Sequence, residues 1–277
     1  MKRILVPVDF SKVAEAACQY SVHLANAIGA DIELIHVIDA SLPATDAYFL
    51  ESLDVAYNAA VQKLSQFSIE LKVQIPNHIS LKETVRFGSP GFVVADFAND
   101  NNIDYIVAGM RDKHSLIERI LGTTSTIITK VANCPVILIH ENTHWVEPKK
   151  VIFTLDDSID FDESVEKFLT FNAIFNAKTD FIHIKMENED YKMTQNVVLS
   201  EIFSKHEPTF GFEIKTIYGG DIVQTIVDYS IFEKADLLVM VHRKRSFLDT
   251  FFNKSLTIKT AEGFHLPIMV LEERLNA

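Results

Sequence analysis

Cysteine is scarce in this sequence, since only Cys18 and Cys134 occur among 277 residues. So small a supply excludes a disulfide-rich secreted fold. Cys18 falls within a helical pattern, and Cys134 stands just before an apolar strand pattern. We therefore predict that both are small, reduced core residues, which suits a cytoplasmic protein.

Long apolar runs are missing as well. No stretch reaches the roughly 18 apolar residues that a membrane-spanning helix needs. The N-terminal segment MKRILVPVDF contains an acid, Asp9, and has no long apolar core, so it is unlike a signal peptide. The sequence therefore predicts no membrane as a partner.

Positive charge is in the minority, because 26 Lys and Arg stand against 38 Asp and Glu, a formal net charge of −12. Nucleic acids and anionic membranes are bound by clustered Lys and Arg, so neither is expected as a main partner. Hydrophobic residues make up 48% of the chain. That content is ample for the core of one large domain or of two smaller ones.

Motifs of the common enzyme classes are also lacking. The chain has no Gly-x-Ser-x-Gly elbow, no His-Glu-x-x-His and no cysteine recognisably placed with a histidine base. The Gly-x-Gly-x-x-Gly of a dehydrogenase is absent after the first strand pattern. No grouping of His, Cys and Asp has the spacing of a metal site. We predict that the protein is not an enzyme.

Strand and helix patterns alternate along the first half of the chain. Strands are predicted at residues 3–8, 32–38, 79–87, 105–108 and 136–139, and helices at 12–28, 46–71, 90–101 and after Gly122. This alternation predicts a doubly wound, five-stranded parallel sheet with right-handed crossovers. In such sheets ligands bind at the carboxyl ends of the strands, where Asp9, Val37, Gly109 and Gly122 are expected.

The pattern then starts again. Asp156 and His183 stand 147 residues after Asp9 and His36, each within a similar strand pattern. Further on the offset is 132, with matches such as Gly220 to Gly88 and Pro267 to Pro135. The sequence therefore predicts two tandem domains, residues 1–143 and 148–277, with fifteen residues lost between the second and third strands of the second copy. The two histidines are expected to be satisfied core residues.

Residues 102–140 combine two apolar strands with a polar loop and a helix. Gly122 precedes four hydroxyl residues in a row, Thr123 to Thr126, at the predicted start of this helix. Unpaired N–H groups and the helix dipole make the N-terminus of this helix a candidate phosphate-binding site. An ordinary turn and helix cap would use the same residues, so both interpretations remain open.

The spacing in this stretch resembles a family signature. Gly109, two residues, Asp112, nine residues and then Gly122-Thr123 is similar to the Gly-x-x-Gly, nine residues, Gly-Ser/Thr of the universal stress protein family. The segments ILVPVDFS and ELIHVID are similar to that family's first two strands. The resemblance covers nearly the whole chain as a tandem member, and it implies a Rossmann-like, adenine nucleotide alpha hydrolase-like fold in each copy.

The resemblance further implies that the first copy binds ATP or another adenine nucleotide. The residues that would line the adenine and ribose side are Pro7, Val8 and Asp9, with Val37 against the base. Ala108 and Gly109 would lie under the ribose and phosphates, while Gly122, Thr123 and Thr124 would donate to phosphate oxygens. Slow hydrolysis of a bound ATP is left open. Asp9 also has a structural alternative as part of a helix cap.

Asp112 departs from the signature, because it stands where the family's nucleotide-binding members have a second glycine. A carboxylate beside a phosphate is repulsive by about 1–4 kcal/mol. A Mg²⁺ ion that bridges the two groups would reverse this repulsion. Two hypotheses therefore remain. One is a stress-response protein that senses adenine nucleotide. The other is a ligand-free scaffold or interaction protein that has lost nucleotide binding, as the substitution by Asp112 indicates.

The second copy departs further from the signature. Val241, Lys244, Lys254 and Ser255 stand at the positions of Gly109, Asp112, Gly122 and Thr123. We expect its site to be lost or altered, because a Cβ at both glycine positions narrows the approach to the backbone. The resemblance also implies that the last strands of the two copies pair within one chain as a pseudo-dimer, with a homodimer left open.

Overall fold

The structure is a computed structural model that describes residues 1–39, 47–110, 123–155, 162–186, 203, 208–242 and 265–272. At residues 47–52, 123, 162–164, 186 and 242 only the backbone is described. Within these ranges the chain forms two compact units, one up to Trp145 and one from Val146 onward. No helix in the described part of the chain is both long enough and apolar enough to cross a membrane.

The first unit alternates strands and helices throughout. Its elements are β1 (Lys2–Pro7), α1 (Lys12–Ile28), β2 (Ala30–Ile38), α2 (Ala47–Gln74), β3 (Leu81–Phe87), α3 (Pro90–Asp100), β4 (Tyr105–Gly109), α4 (Thr123–Val131) and β5 (Val136–Ile139). These bounds agree with the predicted elements to within a few residues. The largest difference is at α2, which continues to Gln74, while β2 starts earlier than predicted, at Ala30, and β3 starts later, at Leu81.

The strands of this unit form a parallel sheet in the order β3-β2-β1-β4-β5. Leu5 of β1 lies between Glu33 of β2 and Ile106 of β4. The chain thus winds outward from β1 to one side and then crosses over to β4 on the other. The carboxyl ends of β1 and β4 are therefore the point where the strand order reverses, as predicted.

The second unit repeats this arrangement. Its elements are β6 (Lys150–Leu155), α5 (Asp162–Phe175), β7 (Lys178–Met186), β8 (Phe212–Gly219), α6 (Ile222–Phe232), β9 (Leu237–His242) and β10 (Ile268–Glu272). The parallel strand order is β8-β7-β6-β9-β10, the same winding as in the first unit. The predicted fold class, two doubly wound five-stranded sheets, is confirmed.

Strand register corrects one detail of the internal repeat. Phe87 lies opposite Ile38, whereas Tyr218 lies opposite Lys185, the residue 147 positions after Ile38. The third strands are therefore offset by 131 residues, and Gly219, not Gly220, takes the place of Gly88. Relative to the first unit, the second unit therefore lacks sixteen residues before β8, rather than the predicted fifteen. One additional residue between β8 and α6 then restores the offset of 132 in α6. The sequence match hid this because both positions are glycine.

Helix α1, which starts near the carboxyl edge of the first sheet, has a sequence signal at each of its ends. Ser11 is the N-cap, and its Oγ accepts a hydrogen bond from the Ala14 N–H at 3.4 Å. Gly29 ends the helix in the left-handed region, with φ 66°, which glycine adopts without strain. Both signals were readable in the sequence, and both predicted ends of α1 are confirmed.

The two units differ in how their cores are filled. In the first unit, aliphatic residues such as Ile4, Leu34 and Ile137 are fully buried between the helical layers. In the second, Phe153 packs its ring 5.0 Å from that of Phe168 and 5.2 Å from that of Phe181, and all three are fully buried. Such aromatic contacts add to the stabilisation that burial alone gives.

The end of the first unit is also packed. Trp145 is the only tryptophan of the chain. Its ring lies 4.9 Å from the ring of Tyr20 and 6.1 Å from that of His23, both on α1. The segment between the two predicted domains is thus fixed to α1 at Trp145, and the fluorescence of this residue reports on the first unit.

Candidate functional site

A cleft of about 290 Å³ opens at the carboxyl edge of the first unit, beside the ends of β1 and β4. Residues of β1, β2, β4, α1, α3 and α4, together with the segment that follows β1, form its walls. They are Pro7, Val8, Asp9, Val13, Ala14, Ile35, Val37, Pro90, Val94, Ala108, Gly109, Thr124, Ser125 and Ile128. The position is the one that a doubly wound sheet offers to ligands, and the size falls just below the usual range of small-molecule pockets.

Most of the predicted site residues meet in this cleft. Those that line it are Pro7, Val8, Asp9, Val37, Ala108, Gly109 and Thr124. Thr123 is the first residue of α4, and its side chain is not described. Asp112 and Gly122 lie outside the described residues.

Several lining residues were not predicted from the sequence. Val13 and Ala14 come from the first turn of α1, and Pro90 and Val94 from the start of α3. The sequence predicted the two helices, but not that their first turns adjoin a cleft. Ser125 belonged to the noted run of hydroxyls, and its contact with β4 was not foreseen.

Gly109 has a packing role that the sequence did not reveal. A Cβ at this position would lie 2.8 Å from the Val13 carbonyl oxygen and 2.9 Å from the Val13 carbonyl carbon. Glycine is therefore needed because the first turn of α1 crosses close over the end of β4. Gly109 also has no positive φ. Packing against α1 therefore explains this glycine without any ligand and without a conformational requirement.

Asp9 lies exposed at the edge of the cleft and is tied to the start of α1. Its Oδ1 accepts hydrogen bonds from the Ser11 N–H at 3.0 Å and from the Ser11 hydroxyl at 2.5 Å. Ser11 in turn caps α1. The structural alternative for Asp9 is thus present in the molecule, since Asp9 supports the residue that caps the helix.

The start of α4 forms the opposite side of the cleft. The Ser125 hydroxyl donates a hydrogen bond to the Gly109 carbonyl oxygen at 2.9 Å, which fixes the first turn of α4 to the end of β4. Thr124, half-buried, lines the cleft beside it. The first turn of a helix carries unpaired N–H groups and the positive end of the helix dipole. An anionic group in the cleft would therefore be stabilised on this side.

Helix α3 packs closely on α4 and starts at the same cleft. A Cβ on Gly91 would lie 2.6 Å from the Ile127 Cβ, so glycine is needed for this helix contact. Ser89 is the N-cap of α3, but its side chain makes no capping hydrogen bond. In the second unit Asp221 takes the N-cap position, and its Oδ1 accepts from the Val223 and Gln224 N–H groups. The corresponding helix start there already holds a carboxylate.

The second unit differs at the other predicted positions too. Val241, which replaces Gly109, is a buried residue of β9. A valine here is incompatible with a helix that crosses the strand as closely as α1 does at Val13. Asp156, Lys244, Lys254 and Ser255 lie outside the described residues.

A charged network occupies the amino-terminal edge of the second sheet, at the opposite end of the strands from the predicted site. Asp180 is fully buried, and its Oδ2 accepts from Lys150 Nζ at 2.6 Å, Lys215 Nζ at 2.8 Å and the Tyr229 hydroxyl at 2.8 Å. Burial by itself would raise the pKa of Asp180, but these three hydrogen bonds hold that pKa below its usual value. The network is structural, since each charge faces an opposite one.

Metal-site geometry is absent from the described ranges, where no three His, Cys, Asp or Glu side chains come together. Both cysteines are free thiols. His36 Nδ1 is bonded to the Val8 carbonyl oxygen at 2.7 Å, and His183 is buried on β7. Neither belongs to a group of potential metal ligands among the described residues.

The fold and the cleft define a doubly wound α/β protein with a cleft where its strand order reverses. A sequence model of the universal stress protein family matches residues 1–140. The chain belongs to the universal stress protein family, which confirms the resemblance seen in the sequence.

Individual relatives support this membership. Universal stress protein MJ0531 of Methanocaldococcus jannaschii is 30% identical over 144 residues, which is 50% of this chain and 81% of that protein. Universal stress protein A homolog 1 of Coxiella burnetii is 25% identical over 143 residues, 50% of this chain and 95% of that protein. The crystal structure of a universal stress protein from Archaeoglobus fulgidus DSM 4304 matches with a TM-score of 0.72 at 16% identity. It covers 99% of this chain and 97% of that one, so it shows that the fold extends over both units.

Proposed function

We propose that the first unit binds an adenine nucleotide, with ATP as the ligand to test first, and that its occupancy makes the protein a nucleotide-sensing regulatory module of a stress response. One observation carries this proposal: the cleft at the strand-order reversal has an apolar interior between an acidic edge and a helix N-terminus. A nucleotide has the matching parts, a flat apolar base, a polar sugar and an anionic tail.

The cleft residues suggest a role for each part of such a ligand. Val37, Ile35 and Val94 provide apolar surface for the base. Asp9 lies at the edge, where its carboxylate can accept hydrogen bonds from ribose hydroxyls. Thr124 and the first N–H groups of α4 then face the phosphates, with Ser125 retained as the link to Gly109.

Asp112 stays central to the proposal, although it lies outside the described residues. We propose that Mg²⁺ bridges this carboxylate and the phosphate oxygens, because Mg²⁺ usually takes one or two carboxylates together with phosphate. ATP would then bind with Mg²⁺ and weakly without it. No catalytic residue is proposed, and slow ATP hydrolysis is left to direct measurement.

A second candidate function is favoured by two observations. Gly109 is explained by its packing against Val13, and Asp9 by its hydrogen bonds to Ser11. Both residues would be needed in a scaffold or interaction protein that binds no ligand. The two functions differ in one measurable property, which is nucleotide binding.

Thermal unfolding with and without Mg-ATP separates the two functions. Ligand at about 100 times its Kd adds roughly 2.7 kcal/mol to the free energy of unfolding, so Tm should rise. Val37→Phe fills the cleft and should abolish the rise. Ile184→Phe is the matched control, because Ile184 stands 147 residues after Val37 in the second unit, and it should keep the rise. No rise for the wild type, but a rise for Asp112→Gly, would establish the scaffold function.

The second unit is proposed to be a universal stress protein domain, residues 148–277, whose nucleotide site is altered. Two differences support this. Val241 takes the place of Gly109. The Asp221 side chain caps α6, whereas the Ser89 side chain makes no capping hydrogen bond at the equivalent helix α3. Equilibrium dialysis should therefore give one ATP per chain. Two ATP per chain would refute the altered site.

Location and assembly remain proposals as well. We propose a cytoplasmic protein, supported by its two free cysteines. The pseudo-dimer within one chain stays a prediction of the family resemblance. Light scattering on the purified chain should give a mass near the 31.3 kDa of the monomer. Twice that mass would indicate the alternative, a homodimer.

A further inference from the structure

We infer that Phe10 and His36 are positioning residues of the cleft, which hold Val8 and Asp9 where a nucleotide would contact them. The inference rests on the proposed function of the first unit. Neither side chain lines the cleft itself. Neither was among the site residues predicted from the sequence. Each acts through the short segment that follows β1.

His36 fixes the backbone of Val8. Its Nδ1 lies 2.7 Å from the Val8 carbonyl oxygen, and a carbonyl only accepts, so Nδ1 must carry the proton. The Val8 N–H donates to the Ile35 carbonyl oxygen at 2.8 Å. Both polar groups of the Val8 backbone are thus held by β2, one residue beyond the end of β1. Val8 lines the cleft, so its position depends on His36.

Phe10 has an unusual backbone. Its φ is 63°, in the left-handed region that a bulky side chain rarely adopts. Such a conformation persists only when the surroundings enforce it. The chain turns sharply here, and Asp9, on one side of the turn, reaches Ser11 on the other. The conformation of Phe10 therefore decides where the Asp9 carboxylate lies.

The ring of Phe10 supplies the enforcing contacts. Its centroid lies 4.7 Å from the ring of His36 and 5.7 Å from that of Phe67 on α2. Lys63 Nζ, also on α2, lies 4.1 Å from the ring centroid. The ring is thus held between β2 and α2, and the strained backbone follows from this packing.

The second unit shows that the fold does not need an aromatic residue at the position of Phe10. Asp157 stands 147 residues after Phe10, while His183 keeps the position of His36. The second unit nevertheless has the same strand order. The aromatic residue occurs in the copy whose cleft is described and which keeps Gly109, so we assign it to the site rather than to the fold.

Substitution of His36 tests the hydrogen bond. Asn can place its Nδ2–H close to the position of the imidazole Nδ1–H and donate to the Val8 oxygen, whereas Leu cannot. We expect His36→Leu to weaken Mg-ATP binding about tenfold or more, and His36→Asn to recover most of that loss. Equilibrium dialysis with radiolabelled ATP measures both, and circular dichroism confirms that each variant is folded. Equal affinity for wild type and His36→Leu, or equal loss in both variants, would overturn the role of His36.

Substitution of Phe10 provides a variant that should fold in any case. Phe10→Gly removes the ring and leaves a residue that adopts positive φ without strain. We expect it to weaken Mg-ATP binding about tenfold, and Phe10→Tyr, which keeps the ring, to stay within about threefold of the wild type. Ile4→Val is the control for a general loss of stability, because Ile4 is buried in β1 away from the cleft.

The outcomes distinguish the two proposals. If the wild type binds Mg-ATP and Phe10→Gly binds it equally well, the positioning role is wrong and the proposed function stands. If the wild type itself binds no Mg-ATP, the proposed function fails and the positioning role fails with it. A loss in Ile4→Val equal to that in Phe10→Gly would show a general stability effect and would also overturn the inference.

Discussion

Gly109→Ala tests whether the glycine is needed for packing against α1 or for the close approach of a ligand. The added Cβ would lie 2.8 Å from the Val13 carbonyl oxygen and 3.1 Å from the Val13 Cβ. The obstacle is largely backbone, so α1 and β4 must move apart rather than a side chain rotate. Overpacking of this kind costs roughly 1–3 kcal/mol. For a domain of this size that corresponds to a fall in Tm of roughly 2–12 °C.

Urea unfolding followed by Trp145 fluorescence is the direct assay. Trp145 is the only tryptophan and packs on Tyr20 of α1, so its signal follows the unit that carries the substitution. Gly211→Ala is the control for an unobstructed glycine, because a Cβ there meets no atom within 4 Å. Gly211 belongs to the second unit, so its unfolding is followed by circular dichroism rather than by Trp145 fluorescence. This control substitution should change stability by less than about 1 kcal/mol. Unchanged stability in Gly109→Ala, together with lost Mg-ATP binding, would refute the packing explanation.

Other substitutions test the second unit and the helix cap. Asp180→Ala should destabilise the second unit by roughly 1–3 kcal/mol, less than for a fully buried pair, because Lys215 is 29% exposed. Urea unfolding by circular dichroism measures this, and a change below about 0.5 kcal/mol would contradict the network's structural role. Since the pKa of Asp180 is held below its usual value, its contribution is present above about pH 4 and is lost as the pH falls through the folded pKa. Asp180→Asn should remove that part of the acid sensitivity, and an unchanged pH profile would contradict the assignment. Gly29→Ala should cost about 1 kcal/mol, because φ is 66° although no atom obstructs the Cβ, and a neutral effect would refute the strain argument.

Local signals made the fold predictable from the sequence. Ser11 and Gly29 bracket α1 with a cap and a left-handed end, which depend on neighbouring residues alone. The unbroken apolar run at β4 indicates a strand buried on both faces, and the structure has it at Tyr105–Gly109. The order of these signals then limited the topology, because parallel strands require crossover helices.

The remaining features depend on which elements meet in space. The packing role of Gly109 follows from where the first turn of α1 crosses β4, which no local pattern reveals. Val94 and Pro90 line the cleft because α3 starts there, whereas the sequence predicted only a helix over these residues. The offset of 131 in the third strands needed strand pairing, since Gly219 and Gly220 look alike in the sequence. The role of Asp221 as a helix cap was not predicted for a related reason. The repeat was recognised from the glycines at 88 and 220, and Asp221 differs from Ser89, its equivalent in the first unit.

The departure at Asp112 defines what must still be measured. The cleft offers apolar walls, an acidic edge and a helix N-terminus, and all of these can also serve a protein that has lost its ligand. Family membership alone does not decide between the two functions, because the fold is retained in either case. Occupancy of the cleft by nucleotide is the property on which the account depends.

Equilibrium dialysis of the intact chain against radiolabelled Mg-ATP tests that property most directly. We predict saturable binding of one ATP per chain, abolished by Val37→Phe in the cleft and unaffected by Ile184→Phe at the equivalent position of the second unit. Absence of saturable binding by the folded wild type, or binding that survives Val37→Phe and disappears with Ile184→Phe, would contradict it.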